Sequence, residues 1–489
     1  MVTATTYYVA TTGSNLNDGS IDSSWQTASY AIQHTQPGDT ILVREGTYTN
    51  DEIRIRVDYG GAPGQVKTLM AYPGEEVILS GSLILIDTDY VRVQGFILNN
   101  KALRIEGSHL EILDNRFNIW NESTAIKFTG ALCNNNLIEG NVITSNQQIF
   151  ILKYGISFYG GSHNIFRNNI ISDFVENGIY IYDAYATTSD MLIENNIIRK
   201  SKFRSGIIVH TTSRSNIDGV KIRNNVFEDN AQFGVELTGR VRNVQIYNNT
   251  FIQASLDSIP YVYGNDRCGI YISELPEFVE IKNNIFYNKD TLGTHINFRY
   301  GALPATITHN LYWPAPPKLV IFDYKWEDIL GTVEDEHPII GDPLFVNLEA
   351  ANYFLTIGSP AIDAGLNIGL PYMWEAPDLG AFESEFSEVK QTPSTMIREF
   401  RLEPCYPNPF NSSTKIVYDI PVVVDVEVAI FNELGHQVIQ LVNEKQTAGQ
   451  KQITWNGTDE RGLKIASGLY FIRLRASEFI AIRKVAYIR

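Results

Sequence analysis

One short phrase recurs along this chain, and it leaves few ways for the chain to fold. The phrase is Gly followed by apolar–x–apolar, and later an alternating stretch that ends in Asn-Asn. The Gly-led halves read Gly155-Ile156-Ser157-Phe158, Gly178-Ile179-Tyr180-Ile181, Gly206-Ile207-Ile208-Val209, Gly234-Val235-Glu236-Leu237 and Gly269-Ile270-Tyr271-Ile272. The Asn-led halves end at Asn168-Asn169, Asn195-Asn196, Asn224-Asn225, Asn248-Asn249 and Asn283-Asn284. The second Asn returns after 27, 29, 24 and 35 residues. Weaker copies stand at Asp114-Asn115, Gly140-Asn141 and His309-Asn310. Each half alternates apolar and variable positions, the period of a strand and not of a helix. Two or three short strands per turn, without helical spacers, describe a coil of strands. Successive coils stack as parallel sheets ~4.8 Å apart. The Asn pairs then fall at one corner, where their amides bond up and down the stack.

The flanks read differently. A short helix is predicted at Ala28-Ser29-Tyr30-Ala31-Ile32-Gln33, where it would cover the open end of the stack. Residues 314–340 are Pro-rich and charged and read as a lateral excursion. The boundaries read as 1–383 for the coil, 384–399 for a polar linker and 400–489 for a compact all-β module. That module carries turn signals such as Asn456-Gly457 and Arg461-Gly462.

Charge and cysteine content narrow the partners. The 39 basic and 55 acidic residues give a net charge of −16. Nucleic acid is not expected as a partner, because it needs a basic stripe. Cys133, Cys268 and Cys405 are too few and too scattered for a disulfide framework. No apolar run reaches ~18 residues, so no membrane span is expected. The opening Met1-Val2-Thr3-Ala4-Thr5 is not a signal peptide, so a secreted form would have lost one earlier. A monomer is expected.

Three stretches resemble known families. Residues 7–48 resemble the opening of pectate-lyase-like parallel β-helix proteins, through Tyr7-Tyr8-Val9, Pro37-Gly38-Asp39-Thr40-Ile41 and Gly46-Thr47-Tyr48. Residues 342–383 resemble the closing segment of such proteins, through Asp342-Pro343-Leu344-Phe345, Gly358-Ser359-Pro360-Ala361-Ile362-Asp363-Ala364-Gly365 and Asp378-Leu379-Gly380-Ala381-Phe382-Glu383. Residues 404–489 are similar to the C-terminal sorting domain of bacterial type IX secretion substrates. The matching residues are Tyr406-Pro407-Asn408-Pro409-Phe410-Asn411, Leu434-Gly435, Trp455-Asn456-Gly457 and Ala466-Ser467-Gly468-Leu469-Tyr470-Phe471. The resemblance implies an all-β fold, a right-handed parallel β-helix followed by a small Ig-like β-sandwich. It also implies export across an outer membrane by the type IX machinery, with release or attachment at the cell surface. The β-helix resemblance does not fix a reaction, because the fold hosts lyases, hydrolases, epimerases and adhesins. Family catalytic residues have no residue-by-residue match here.

The outward side of the Gly-led sheet carries the candidate chemistry. One column reads Arg104, Lys127, Ser157, Tyr180, Ile208, Glu236, Tyr271, Asn297. The next reads Glu106, Thr129, Tyr159, Tyr182, His210, Thr238, Ser273, Arg299. Tyr159, Tyr180, Tyr182, Asp183, His210, Glu236, Tyr271 and Glu274 are therefore expected on neighbouring coils of one face. Tyrosine suits stacking against sugar rings, and it is also simply a good strand residue.

Three readings stay open. A uronate lyase would use Arg204, Arg267 or Arg299 for the sugar carboxylate, His210 as base and Tyr182 as acid. A glycoside hydrolase would use Asp183 and Glu236, two coils and so about 9.6 Å apart along the backbone. A glycan-binding surface protein or adhesin would use the same wall without chemistry. Polysaccharide is the expected partner in all three. Calcium is a candidate cofactor, at Asn15, Asn17, Asp18 and Asp22 or at Asp183 with Asp190. No organic cofactor is indicated, since no phosphate loop and no zinc-spaced set occurs.

Overall fold

The computed structural model describes residues 4–487 except 50–51, 82–83, 121, 131, 146–151, 184–187, 212–215, 254–266, 275, 290–294, 300–304, 315–319, 325–326, 329–333, 385–399, 404, 406, 409, 422, 433–435, 448 and 477–478. Two compact units result, Met1–Glu385 and Phe386–Arg489.

The first unit is a right-handed β-helix. Its strands collect into three sheets of twelve strands each, with coil stacked on coil. Register is kept residue for residue. Ile179, Ile207, Val235, Ile270 and Ile296 are successive partners on the Gly-led sheet, and all are fully buried. Inside the coil, Phe227, Phe251, Phe286 and Tyr312 stack with ring centroids 4.9, 4.9 and 5.3 Å apart. That spacing is the strand repeat itself, so offset ring stacking adds to the apolar burial of each coil.

The Asn corner has a division of labour between its two residues. The first of each pair adopts the left-handed conformation, with φ of 57° at Asn168, 56° at Asn195 and 55° at Asn224. Asn tolerates this region better than other non-glycine residues. Asp114, Gly140 and His309 take the same position with positive φ. The second Asn is buried and forms the ladder. Asn196 donates from its backbone N–H and its Nδ2 to Asn225 Oδ1, both at 2.9 Å. Its own Oδ1 accepts from the backbone N–H and the Nδ2 of Asn169 at 3.0 and 2.9 Å. The same linkage runs from Asn115 through Asn141, Asn169, Asn196, Asn225, Asn249 and Asn284 to Asn310. It ends on Asp335, whose Oδ2 accepts from Asn310 Nδ2 and from Tyr312 Oη, each at 2.8 Å. A carboxylate, which only accepts, is the apt terminus for a chain of donors.

The predicted helix forms over Ala28–His34, and the Thr27 side chain caps it. Lys67 lies buried beneath it and donates to the Ile32 and Thr35 carbonyls at 3.1 and 2.9 Å. This cation satisfies the end of the helix where the backbone carries partial negative charge. Burial pushes the Lys67 ammonium down to about 8.

The stretch 314–340 departs from the expected excursion. Val320–Tyr324 pairs in parallel with Ile296–Arg299, and Ile339–Ile340 pairs with Leu311–Tyr312. Part of this stretch therefore adds strands to the stack, because it continues the backbone ladder that the preceding coil leaves open. The closing segment then lies over the outer side of the sheet that follows the Asn corner. Leu355, Ala361 and Leu379 pack on Ile285 and Leu311, and Tyr353 and Ala381 on Val226 and Ile252. Two corner residues tie it down: Asn248 Nδ2 donates to Asp378 O at 3.0 Å, and Asn283 Nδ2 to Leu366 O at 2.8 Å. The residues from 385 to 399, most of the expected linker, lie outside the described residues.

The second unit is an antiparallel sandwich. One sheet holds Arg401–Leu402, Thr414–Ile420 and Gly449–Trp455, and the other Gln437–Gln446, Val424–Asn432, Gly468–Ala476 and Phe479–Tyr487. Trp455, Tyr418, Ile472 and Leu474 fill its core.

The ladder gives a direct test. Asn196→Ala strands the donors of Asn169 and the Phe166 carbonyl to which Asn196 Nδ2 donates at 2.9 Å. At ~1–3 kcal/mol per unmet buried group, the expected loss is about 3 kcal/mol. Gln94→Ala, at an exposed amide–carboxylate contact, is expected to cost at most ~0.5 kcal/mol. Denaturant unfolding of both variants checks the difference.

Candidate active site

Register brings both outward columns together. Arg104, Lys127, Ser157, Tyr180, Ile208, Glu236, Tyr271 and Asn297 are consecutive strand partners. Tyr182, His210, Thr238, Ser273 and Arg299 follow one another in the second column. Although these residues point away from the core, Ser157 is 0%, Glu236 8% and Asn297 2% exposed. On this face Tyr180, Ile208, Tyr271, Tyr182 and His210 are half-buried, while Arg104 and Lys127 are exposed.

An aromatic run occupies its lower half. Tyr154 stacks on Tyr180 at 4.8 Å, Tyr180 on Tyr182 at 5.9 Å, and Tyr182 on the His210 ring at 5.2 Å. Tyr159 meets Tyr180 and Tyr182 edge-on at 6.0 and 6.1 Å. Lys127 Nζ stands 5.6 Å from the Tyr159 ring centre. Burial is the main cause that pushes the Tyr180 hydroxyl up to about 12. His210 is half-buried. Burial lowers its pKa below the ordinary 6.5, and the Glu274 charge opposes this. The imidazole is therefore neutral, and able to accept a proton, near neutral pH.

The acidic centre lies one coil higher. Glu236 Oε2 accepts from the Ser205 hydroxyl at 2.6 Å. Burial raises the Glu236 pKa above the usual carboxylate range, while Ser205 and the Arg204 charge oppose this. Arg204 is exposed on the turn that precedes the strand Ile207–Thr211. Above Glu236, Tyr271 stacks on Phe233 at 4.3 Å. Arg267 is buried at the head of the strand Cys268–Ser273. Arg299 is three strand partners above His210, too far along the stack to share its immediate surroundings. Glu274 is exposed just past its strand, in a left-handed turn with φ 69°.

Asp183 requires a correction. It follows Tyr182 in the strand, so alternation turns it to the opposite side, and it is 0% exposed beside its buried partner Thr211. Asp183 and Glu236 therefore do not flank one bond across an open face, and the hydrolase pair loses its geometry. At the two candidate calcium clusters the following contacts occur. Asn15 Oδ1 accepts from the backbone N–H groups of Gln26 and Thr27, and Asn17 Nδ2 donates to Ser24 O. Asp190 faces His163 on another sheet at 3.5 Å. Among the described residues no group of three or more His, Cys, Asp and Glu side chains converges to hold a metal.

Sequence reasoning missed a third column. The residue before three of the five strand glycines reaches an outward-column residue: Tyr154 onto Tyr180, Ser205 onto Glu236, Phe233 onto Tyr271. The Gly permits this close approach. A Cβ at Gly206 would sit 2.8 Å from both Gly234 O and Phe227 Cδ1. The signal was present as a side chain of varied type before an unvaried Gly.

With this geometry in hand, comparison with known proteins is informative. Residues 7–288 match the profile described as Pel9A-like, right handed beta helix region. The chain belongs to this family. Outside the Pel9A-like region, residues 411–478 match the FlgD Ig-like domain. The uncharacterized protein YwoF of Bacillus subtilis (strain 168) is 26% identical over 443 residues, covering 72% of this chain and 91% of that protein. Among solved structures, pectate lyase Pel9A is 17% identical, with a TM-score of 0.57, covering 79% of this chain and 98% of that one. A rhamnogalacturonan lyase is 12% identical, with a TM-score of 0.47, covering 71% and 92%. The Pel9A structure carries the likeness of fold.

The electrostatics of this Pel9A-like face can be measured directly. By NMR, His210 is expected to titrate below 6.5, and Glu274→Gln to lower it further by removing a charge that favours the imidazolium. The unfolded chain then binds the proton first. The His210 contribution to stability is complete above 6.5 and falls as pH drops from there through the folded value. Titration at or above 6.5 would contradict this account of the site.

Proposed function

We propose that this chain is a polysaccharide lyase that cleaves a uronic-acid-containing glycan by β-elimination. The observation that carries the reading is the half-buried, stacked run of Tyr180, Tyr182 and His210 diagonal to Glu236. His210, neutral through burial, takes the C5 proton. The C–H electron pair becomes the C4–C5 double bond as the C4–O bond breaks, and the leaving oxygen takes a proton from Tyr182. Arg204, whose charge acts on Glu236, or Arg267 would take the sugar carboxylate, and Arg299 would serve a more distant ring. Tyr159, Tyr180 and Tyr271 would line the path of the glycan along the stack. Membership in a family named for Pel9A supports the same reaction class. A non-catalytic glycan binder would use the same tyrosines, but it has no need of a neutral imidazole.

The second unit is proposed to serve export by the type IX machinery and to place the protein outside the cell or at its surface. The resemblance at Asn408, Phe410, Asn411 and Leu469-Tyr470-Phe471 supports that role. Deleting 400–489 from the full-length precursor is expected to leave the β-helix inside the cell.

A lyase gives an unsaturated, ultraviolet-absorbing product, a hydrolase gives reducing ends without that absorbance, and a binder gives neither. Against a panel of uronate glycans, the wild type is expected to generate the absorbance. His210→Ala is expected to lower kcat by about 10²–10⁴-fold with an unchanged unfolding midpoint. Full activity in that variant removes His210 from the mechanism.

A further inference from the structure

Among the described residues, Glu236 is the one carboxyl of the two outward columns that is both buried and held in place. It leaves its strand one coil above Ile208 and diagonal to His210. A strand spacing of ~4.8 Å and a two-residue rise of ~6.6 Å put the two backbones about 8 Å apart. A single sugar ring can reach both side chains across that distance.

Its two oxygens are not equivalent. Ser205 donates to Oε2 at 2.6 Å. Ser205 is itself fixed, because its backbone N–H donates to Asn177 Oδ1 at 3.2 Å, and both residues are buried. Among the described residues no hydrogen bond reaches Oε1. The side chain is thus anchored through one oxygen and presents the other.

We propose that Glu236 binds the carboxylate of a uronate ring as a neutral carboxylic acid, donating from Oε1, with Ser205 as the residue that positions it. This rests on the lyase reading of the same face and extends it to a substrate-recognition role. As the C5 proton leaves, negative charge grows on the substrate carboxylate. A neutral O–H aimed at that group stabilises the charge, whereas an ionised Glu236 would repel it. The groups facing Glu236 are Arg204 on the turn before the strand below, His210 on the diagonal, Tyr180 two coils down and Tyr271 one coil up. Burial outweighs Ser205 and Arg204 and favours the neutral form.

The test uses the full chain with polygalacturonate as the probe, and with two readouts. In kinetics, Glu236→Gln keeps a neutral donor, so it is expected to stay within about tenfold of wild type and to lose the alkaline limb of the rate profile. Glu236→Ala is expected to fall by about 10²–10³-fold. Ser205→Ala removes a donor that favours the carboxylate, so the alkaline limb is expected to move upward. A merely structural loss would lower the rate at every pH and leave the limb in place. Separately, difference infrared titration of wild type against Glu236→Gln reads the protonated carboxyl without substrate. A Glu236 that is ionised near neutral pH, or a Gln variant as inactive as the Ala variant, overturns the proposal while leaving the lyase reading intact. A protonated Glu236 in a chain that cleaves and binds no uronate glycan overturns the lyase reading, and the proposed ligand with it.

Discussion

Coil-to-coil register is the constraint on which the rest of this molecule depends. Parallel strands alone resist slippage only through which side chains point inward. Here a second device fixes them. Each ladder Asn offers one acceptor to two donors of the coil below and two donors to the acceptor above. A slip by one residue would leave this buried polar array unmet on every coil. Such arrays specify one arrangement because they are costly when only partly satisfied. The aromatic stack from Phe227 to Tyr312 repeats the same interval inside the core, and Tyr312 joins the two systems at Asp335.

The candidate site follows from that register. Tyr182 and His210 are 28 residues apart in sequence and adjacent in space. Glu236 is a further 26 residues on and falls diagonal to His210. None of these side chains is placed by a local turn motif. They are placed by counting coils, and the burial of each on the outer face then shifts its pKa. Burial lowers the pKa of His210 and raises that of Glu236, so it favours the neutral form of both groups.

The repeat made much of this legible. The Gly-led and Asn-led phrases announced the strands, the corner and both outward columns, because alternation and coil length are local properties of a sequence. Asp183 was misplaced because it was grouped with the outward residues, although the alternation that turns Tyr180 and Tyr182 outward turns the next residue inward. One more residue of extended backbone turns the carboxylate inward. The Ser205–Glu236 contact was hidden because the residue before Gly206 departs from simple alternation. The tightness that lets it do so, seen at Gly206, belongs to packing between coils. The strand at Val320–Tyr324 was obscured by the prolines around it. The burial of Ser157 and Asn297 on the outward side is a property of the packed coils that alternation cannot report.

Cross-linking tests the central claim most directly. In-register neighbours on parallel strands lie within the ~4.4–6.8 Å between Cα atoms that a disulfide spans. The double substitution Tyr182→Cys with His210→Cys is therefore expected to close a disulfide under mild oxidation, seen by peptide mapping without reduction. Tyr182→Cys with Val209→Cys, whose side chains leave opposite sides of the sheet, is expected to stay reduced. Free thiols in the first pair, or equal cross-linking in both, would contradict the stacking from which the site is built.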